Sequence, residues 1–222
     1  MDRHQARLNM IEQQIRPWDV LDQRVLDVLN DVPREAFLDS ELHGLAYSDS
    51  PLPIGEGQHM LNPNVVARVL QALDLNTTDS VLEIGTGSGF MAACLSRLAR
   101  SVETVEILSP LAEQARVRFA ELACSNVSSH HLDAADIWDS ADDYDAIAFT
   151  GSVQQIPEYY KQKMAVGGRL FIVVGDEAEP TMTARLLTRM SETEWTDDSL
   201  FETVIPALQN FNTGKKVESF VF

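Results

Sequence analysis

The stretch VLEIGTGSGF, residues 81–90, decides the fold of this chain. Val81–Ile84 is an apolar run typical of a buried strand, and an apolar helical pattern follows the stretch. Between them stand Gly85, Gly87 and Gly89, which offer no side-chain packing and lose much conformational entropy on folding. Glycines at such a turn indicate positive φ angles or a backbone that closely approaches a ligand. The stretch therefore predicts a strand-turn-helix unit with a ligand at its turn.

Strands and helices alternate outward from this turn. The apolar patterns predict strands over 80–86, 101–107, 126–134, 144–151 and 167–176. They predict helices over 64–73, 90–99, 109–123 and 157–165. Continuous apolar strands joined by helices indicate a parallel sheet covered on both faces, and hence the α/β class.

The N-terminal part follows a helical pattern up to residue 45, with Asp22 as a helix cap. Its apolar residues at helical spacing are Leu8, Ile11, Ile15, Val25, Leu26, Val28 and Leu29. Residues 48–63 fit neither a helical nor a strand period and are predicted to form an irregular loop. That loop leads to Asn62 as the N-cap and Pro63 as the first residue of the next helix.

The C-terminal part breaks the alternation after Pro180. Residues 183–195 and 199–205 predict two strands joined by a turn at 196–198. We therefore expect an antiparallel hairpin at one edge of the sheet. The tail, residues 215–222, predicts a further strand.

The amino-acid composition argues against some classes of binding partner. The chain has 17 Lys and Arg against 34 Asp and Glu, a formal charge of -17, which repels nucleic acid and anionic membrane surfaces. Its first residues show no secretory signal, and no apolar run reaches membrane-spanning length, so we expect a cytoplasmic protein. Cys94 and Cys124 are isolated, and the adjacent His130 and His131 would face opposite sides of a strand. We therefore predict no metal site.

Acidic residues follow the first three strands of the predicted sheet. Glu106 ends the second strand about 21 residues after Gly85, a spacing at which a carboxylate reaches ribose hydroxyls. Asp133 ends the third strand, where it can accept a hydrogen bond from an exocyclic amine such as that of adenine. Glu83 precedes a GxGxG pattern and would repel a pyrophosphate but attract an ammonium or sulfonium group. These features favour S-adenosylmethionine.

Structural alternatives remain for the same residues. The glycines are also compatible with a tight turn that binds nothing. Glu106 occupies a helix-capping position, and the Glu83 carboxylate could cap the amides of the glycine loop.

Four segments, VLEIGTGSG, VETVE, LDA and GGRL, resemble the class I S-adenosylmethionine-dependent methyltransferases. More narrowly, MIEQQIR, VPREAF, LAYSDSPLPIGEGQ and LEIGTGSGF resemble the protein-L-isoaspartate O-methyltransferases from about Met10 to Gly175. The resemblance implies a Rossmann-like sheet with helices on both faces, an N-terminal helical extension and an antiparallel C-terminal edge strand. We divide the chain accordingly into 1–60, the extension with the substrate loop, and 61–222, the cofactor domain.

The resemblance also implies the site and the reaction. S-adenosylmethionine is the implied cofactor, and the implied reaction methylates the carboxylate of an L-isoaspartyl residue in a damaged protein or peptide. Glu83 and the three glycines would hold its methionine end, Glu106 its ribose, and Asp133 with Ala134 its adenine. The full set of predicted cofactor-binding residues is Gln58, Glu83, Gly85, Thr86, Gly87, Ser88, Gly89, Glu106, Ile107, Asp133 and Ala134.

The chain departs from the family after PLPIGEGQ. There the family usually has Thr-Ile-Ser, whose hydroxyls lie at the substrate carboxylate, whereas this chain has His59, Met60 and Leu61. We therefore predict that His59, Thr150 and Ser152 orient the substrate. Near the end, TVIPAL at 203–208 lacks the arginine of the family's strand and continues into an unfamiliar tail.

Three functions are compatible with this pattern. The chain could keep the family's isoaspartyl activity. It could methylate another acceptor, such as a small molecule, with His59 as base and Met60 and Leu61 lining an apolar pocket. It could also bind the cofactor without catalysis and serve a partner protein.

Overall fold

The computed structural model describes residues 2–136, 143–176 and 178–211, and its centre is a seven-stranded sheet. The strands of this sheet are β3 (Ser80–Ile84), β4 (Ser101–Glu106), β5 (Val127–His131), β6 (Tyr144–Val153), β7 (Met164–Val174), β8 (Met182–Arg189) and β9 (Trp195–Thr203). Their order is β5-β4-β3-β6-β7-β8-β9; neighbouring strands from β5 to β7 pair in parallel, and β8 pairs antiparallel with both β7 and β9. This topology confirms the predicted α/β class with an antiparallel edge.

Helices cover the sheet and form the N-terminal part. They are α1 (Arg3–Met10), α2 (Gln23–Asp31), α3 (Pro63–Leu73), α4 (Phe90–Leu98), α5 (Ser109–Glu121) and α6 (Glu158–Gln162). α1 continues through a π-helical turn, Ile11–Ile15, and 3-10 turns lie at Arg16–Trp18, Arg34–Phe37 and Ser40–Leu45.

The helix starts follow the sequence signals in part. Asp22 caps α2 as predicted, because its carboxylate accepts a hydrogen bond from the Arg24 amide at 2.9 Å. Asn62 precedes α3 and Pro63 is its first residue. The Asn62 side chain donates to the Asp49 carboxylate at 3.2 Å instead of capping the helix.

The core lies on both faces of β3. Val81 packs into the apolar cluster that contains the N-terminal helices, whereas Leu82 and Ile84 pack into the cluster on the opposite face. Alternate residues of a strand point to opposite faces, so apolar residues on both faces, such as Val81, Leu82 and Ile84, are what a doubly covered strand requires. Full burial of each large apolar side chain contributes about 1.5–3 kcal/mol.

The prediction of an irregular loop at 48–63 is wrong in one respect, because this segment contains a small antiparallel hairpin. Its strands are β1 (Leu52–Gly55) and β2 (Gln58–Met60). The chain reverses through three residues with positive φ, at Gly55, Glu56 and Gly57. Strands of four and three residues are too short to show a period in the sequence.

The C-terminal hairpin is antiparallel as predicted, but its turn lies at 190–194 and not at 196–198. The polar residues at 196–198 belong to β9, an edge strand whose exposed side chains can be charged. Asp197, for example, forms an ion pair of 2.6 Å with Arg185 of β8. The predicted strand at 215–222 lies outside the described residues, and the division into 1–60 and 61–222 stays a prediction.

Candidate active site

A cleft lies beyond the carboxyl ends of the central strands, at the point where β3 has β4 on one side and β6 on the other. Ligands of open α/β sheets bind at such a reversal of strand order. The cleft has an empty volume of about 930 Å³, including its opening to solvent. The predicted residues in its wall are Gln58, His59, Glu83, Gly85, Thr86, Gly87, Ser88, Glu106, Ile107, Asp133, Ala134 and Thr150. Gly89 and Ser152 are not in this wall.

Two of the glycines have distinct steric roles. Gly85 has a φ of 97°, and a Cβ atom there would lie 2.5 Å from the Thr150 hydroxyl oxygen. Gly89 has a φ of 90°, and a Cβ atom there would lie 2.9 Å from the Phe119 ring of α5. Gly85 thus keeps the cleft wall compact, whereas Gly89 allows α4 and α5 to pack closely.

Glu106 is held rigidly at the end of β4. One carboxylate oxygen accepts a hydrogen bond from the Gly87 amide at 2.8 Å, and the other accepts from the Leu108 amide at 3.0 Å. These bonds fix the carboxylate beside the glycine loop but do not cap α5, whose N-cap residue is Leu108 and which has no side-chain cap. Each oxygen has a second lone pair, so the carboxylate can still accept hydroxyl groups from a ligand.

Glu83 is fully buried at the end of β3. One oxygen accepts a hydrogen bond from the Thr104 hydroxyl at 2.5 Å, and Thr104 is in turn 2.6 Å from the Thr86 hydroxyl. The other oxygen, Oε1, has no partner among the described residues. Burial raises the pKa of Glu83 to about 8. The raised pKa favours the protonated carboxyl group at neutral pH, and a cation beside it would favour the ionised form.

The loop-capping alternative for Glu83 is wrong, because the loop amide of Gly87 donates to Glu106 and not to Glu83. The prediction that Glu83 attracts a cation as an ionised carboxylate also needs a correction. The raised pKa means that a bound ammonium or sulfonium group would have to favour loss of the Glu83 proton.

Asp133 and Ala134 follow the end of β5. The Asp133 carboxylate accepts from the Ala135 amide at 2.9 Å and from the Asn210 side-chain amide at 2.5 Å. The Ala134 carbonyl accepts from the Tyr160 hydroxyl at 2.7 Å. Both residues are thus fixed in position before any ligand binds.

The predicted substrate-orienting residues lie in different surroundings. His59 is an exposed residue of β2 at the cleft wall. The Thr150 hydroxyl is within hydrogen-bond distance of the Ile84 and Gly85 carbonyls, at 3.0 Å and 2.5 Å. Since a hydroxyl has one hydrogen to donate, Thr150 cannot orient a carboxylate while either bond holds.

Ser152 does not line the cleft. It is completely buried, and its hydroxyl donates to the Ile205 carbonyl at 3.2 Å. Its backbone amide donates to Pro206 and its carbonyl accepts from Leu208, both at 2.9 Å. Ser152 therefore anchors the C-terminal segment behind the cleft wall, and we withdraw it as a substrate-orienting residue.

The C-terminal segment is the part of the site that the sequence did not reveal. Pro206–Gln209 and Phe211 line the cleft. Phe211 packs edge-on against Phe149 with ring centroids 5.5 Å apart. The only local signal was TVIPAL at 203–208, where a strand pattern ends at a proline.

Most of the remaining wall is apolar. It includes Ile54, Met60, Leu61, Val66, Phe90, Met91, Leu108, Leu111 and Leu132. Acidic groups at three strand ends inside an apolar cleft suit a nucleoside ligand with a cationic end. Within the described parts of the chain, no cluster of three or more His, Cys, Asp or Glu could hold a metal ion. The helices described here include none that is long and apolar enough to cross a membrane.

Comparison with known proteins shows the family of this chain. The family model described as protein-L-isoaspartate(D-aspartate) O-methyltransferase matches residues 5–205. A protein-L-isoaspartate O-methyltransferase of Rhodopseudomonas palustris is 41% identical, over 86% of this chain and 87% of that protein. A relative of the same name from Syntrophotalea carbinolica is 42% identical, over 82% and 84% of the two chains.

Two solved structures share the fold. One is a Plasmodium falciparum chain described as a protein-L-isoaspartate O-methyltransferase, in complex with S-adenosyl-L-homocysteine. It has a TM-score of 0.78 and 18% identity, and the alignment covers 94% of this chain and 99% of that one. The other, named protein-L-isoaspartate O-methyltransferase, has a TM-score of 0.80 and 24% identity, covering 95% and 67% of the two chains. At these identities the structures bear on the fold alone.

Proposed function

The chain belongs to the protein-L-isoaspartate(D-aspartate) O-methyltransferase family, and from this membership we propose how its cleft acts. It is an S-adenosylmethionine-dependent O-methyltransferase. We propose that its acceptor is the free carboxylate of an L-isoaspartyl residue in a damaged protein or peptide. The observation that carries this proposal is the convergence of Glu83, Glu106 and Asp133 in one cleft of a chain that the family model spans from residue 5 to 205.

The residues of the cleft fit the cofactor. The buried Glu83 oxygen that lacks a partner in the described chain calls for a donor or cation. We propose that Glu83 and the glycine loop hold the methionine end, Glu106 the ribose hydroxyls, and Asp133 with Ala134 the adenine. Gln58, Thr86, Ser88 and Ile107 would complete the wall. When bound, S-adenosylmethionine supplies an electrophilic methyl group on a positively charged sulfur.

The protein has little acid-base work to do in this reaction. A carboxylate is already ionised near pH 7, so no side chain needs to remove a proton from it. What accelerates the reaction is orientation of the carboxylate and removal of its water. The apolar residues Met60 and Leu61 beside the cleft are suited to exclude water. We propose that the exposed ring of His59, together with backbone amides, orients the carboxylate in place of the family's hydroxyls.

The state of the two cysteines relates to the cellular compartment of the protein. Cys94 and Cys124 are both buried free thiols. Unpaired thiols are typical of reducing compartments, which supports a cytoplasmic location as part of the proposal.

The experiment is a methylation assay with two synthetic peptides that differ at one residue, L-isoaspartate against L-aspartate. We expect methyl ester formation on the isoaspartyl peptide alone. A His59→Ala variant should keep cofactor affinity and lose turnover of this peptide. Absence of methyl ester above background with the wild type would contradict the proposed acceptor. Turnover of a small-molecule panel would then favour another acceptor, and cofactor binding without any turnover would favour a non-catalytic module.

A further inference from the structure

Arg34 is a buried cation that the proposed reaction does not use. It lies in the 3-10 turn Arg34–Phe37 and is 1% exposed. Burial lowers the pKa of Arg34 to about 10, which still leaves it protonated at neutral pH. Among the described residues, no carboxylate lies within ion-pair distance of it. A buried charge without a counter-ion is costly to a fold, so its presence calls for an explanation.

The partners of Arg34 are backbone carbonyls and a ring. Its Nε donates to the Ala46 carbonyl at 2.9 Å, and its Nη2 donates to the Leu61 carbonyl at 2.5 Å. Its Cζ lies 4.9 Å from the centre of the Phe90 ring, within cation-π range. Nη1 is buried without a hydrogen-bond partner in the described part of the chain.

Two of these partners, Leu61 and Phe90, line the cleft. Ala46 and Leu61 flank the segment that contains the β1–β2 hairpin, which carries the cleft residues Gln58 and His59. Phe90 is the first residue of α4, directly after the glycine loop, and it also lines the cleft. One rigid guanidinium group therefore connects the hairpin on the substrate side to the helix that follows the cofactor loop.

We propose that Arg34 is a positioning residue that fixes the β1–β2 hairpin against α4, so that His59 is held in place for the acceptor. The proposal rests on the proposed function for its kinetic consequence, but its structural consequence can be measured without any substrate. An apolar residue at this position would remove a buried charge, which favours the fold. It would also leave the carbonyls at both ends of the hairpin segment without hydrogen-bond donors.

The test compares Arg34→Met, Arg34→Lys and a control, Arg169→Met, in the full chain. Arg169 is partly buried and pairs with Asp79 at 2.7 Å, and it does not line the cleft, so its loss tests general destabilisation. Three quantities are measured: amide hydrogen exchange, affinity for S-adenosylhomocysteine, and KM and kcat for the isoaspartyl peptide.

We expect Arg34→Met to raise the rate of amide exchange in residues 52–61 about tenfold. Removal of a charged hydrogen bond lowers the local stability that protects these amides by an amount that corresponds to about this factor. Exchange in β3 and β6 should stay at the wild-type rate, and affinity for S-adenosylhomocysteine should change by less than about threefold, since Glu83, Glu106 and Asp133 keep their partners. KM should rise about tenfold with a smaller change in kcat. Arg34→Lys, which keeps a donor, should recover part of the protection, and Arg169→Met should change KM little.

Unchanged exchange in 52–61, or a rise of the same size throughout the sheet, would overturn the proposal. So would a KM for Arg34→Met equal to that of Arg169→Met in an active enzyme. If the wild type does not methylate the isoaspartyl peptide, the proposed function fails, and the exchange pattern alone still decides the role of Arg34.

Discussion

Replacement of Glu83 by glutamine should stabilise the protein and weaken its binding of cofactor. Burial raises the pKa of Glu83 from 4.5 to about 8. Because each tenfold change in proton affinity corresponds to about 1.4 kcal/mol, ionisation of this group costs the empty protein up to about 5 kcal/mol. Glutamine can keep a hydrogen bond to Thr104 and cannot ionise.

The pH dependence of stability follows from the direction of this shift. Between pH 4.5 and about 8 the folded protein keeps a proton on Glu83 that the unfolded chain releases. The contribution of Glu83 to the free energy of unfolding is therefore complete below pH 4.5 and is lost as the pH rises to about 8. At about pH 9 the free energy of unfolding of the Glu83→Gln variant should exceed that of the wild type by about 2–5 kcal/mol. At about pH 5 the two values should differ little.

Urea unfolding at the two pH values measures this difference, and calorimetry measures the binding of S-adenosylmethionine and S-adenosylhomocysteine. We expect Kd to rise about 10- to 100-fold, because the neutral amide replaces a carboxylate that we propose faces a cationic group. Glu103→Gln, on the neighbouring strand β4 and partly exposed, is the matched control. A Glu83→Gln variant that is no more stable at high pH, or that binds both compounds as the wild type does, would refute this reasoning.

Three further predictions follow from individual contacts. Gly85→Ala should lower the free energy of unfolding by about 1–3 kcal/mol in urea titrations, because its methyl group would lie 2.5 Å from a hydroxyl oxygen and φ is 97°; a neutral result would contradict the close approach. Asn210→Ala should raise the Kd for S-adenosylhomocysteine about three- to tenfold by releasing the Asp133 carboxylate, and an unchanged Kd would exclude this role. Arg169→Met should destabilise the fold by about 2–4 kcal/mol at neutral pH, since Asp79 loses its partner at 2.7 Å.

The central part of the fold could be predicted because its signals are local. Val81, Leu82 and Ile84 are apolar because both faces of β3 are covered, and the glycines follow because the chain must turn sharply there. Glu106 could be placed from its distance along the chain, since equivalent strands of a parallel sheet end at the same edge.

Other parts of the site depend on contacts between distant residues. The positions of Pro206 and Leu208 are set by hydrogen bonds to Ser152 across the sheet, which no local pattern encodes. For the same reason the sequence predicts a substrate-orienting role for Ser152, whereas in the structure its hydroxyl donates to the Ile205 carbonyl. The protonation of Glu83 follows from its burial, which the sequence alone could not show.

We propose that the ends of β3, β4 and β5 form one site for the adenosyl cofactor. A crystal structure of the complex with S-adenosylhomocysteine tests it most directly. We predict ribose hydroxyls within hydrogen-bond distance of the Glu106 carboxylate and the adenine amine within reach of Asp133. Nucleoside density elsewhere on the protein, or in this cleft without contact to either carboxylate, would contradict the claim.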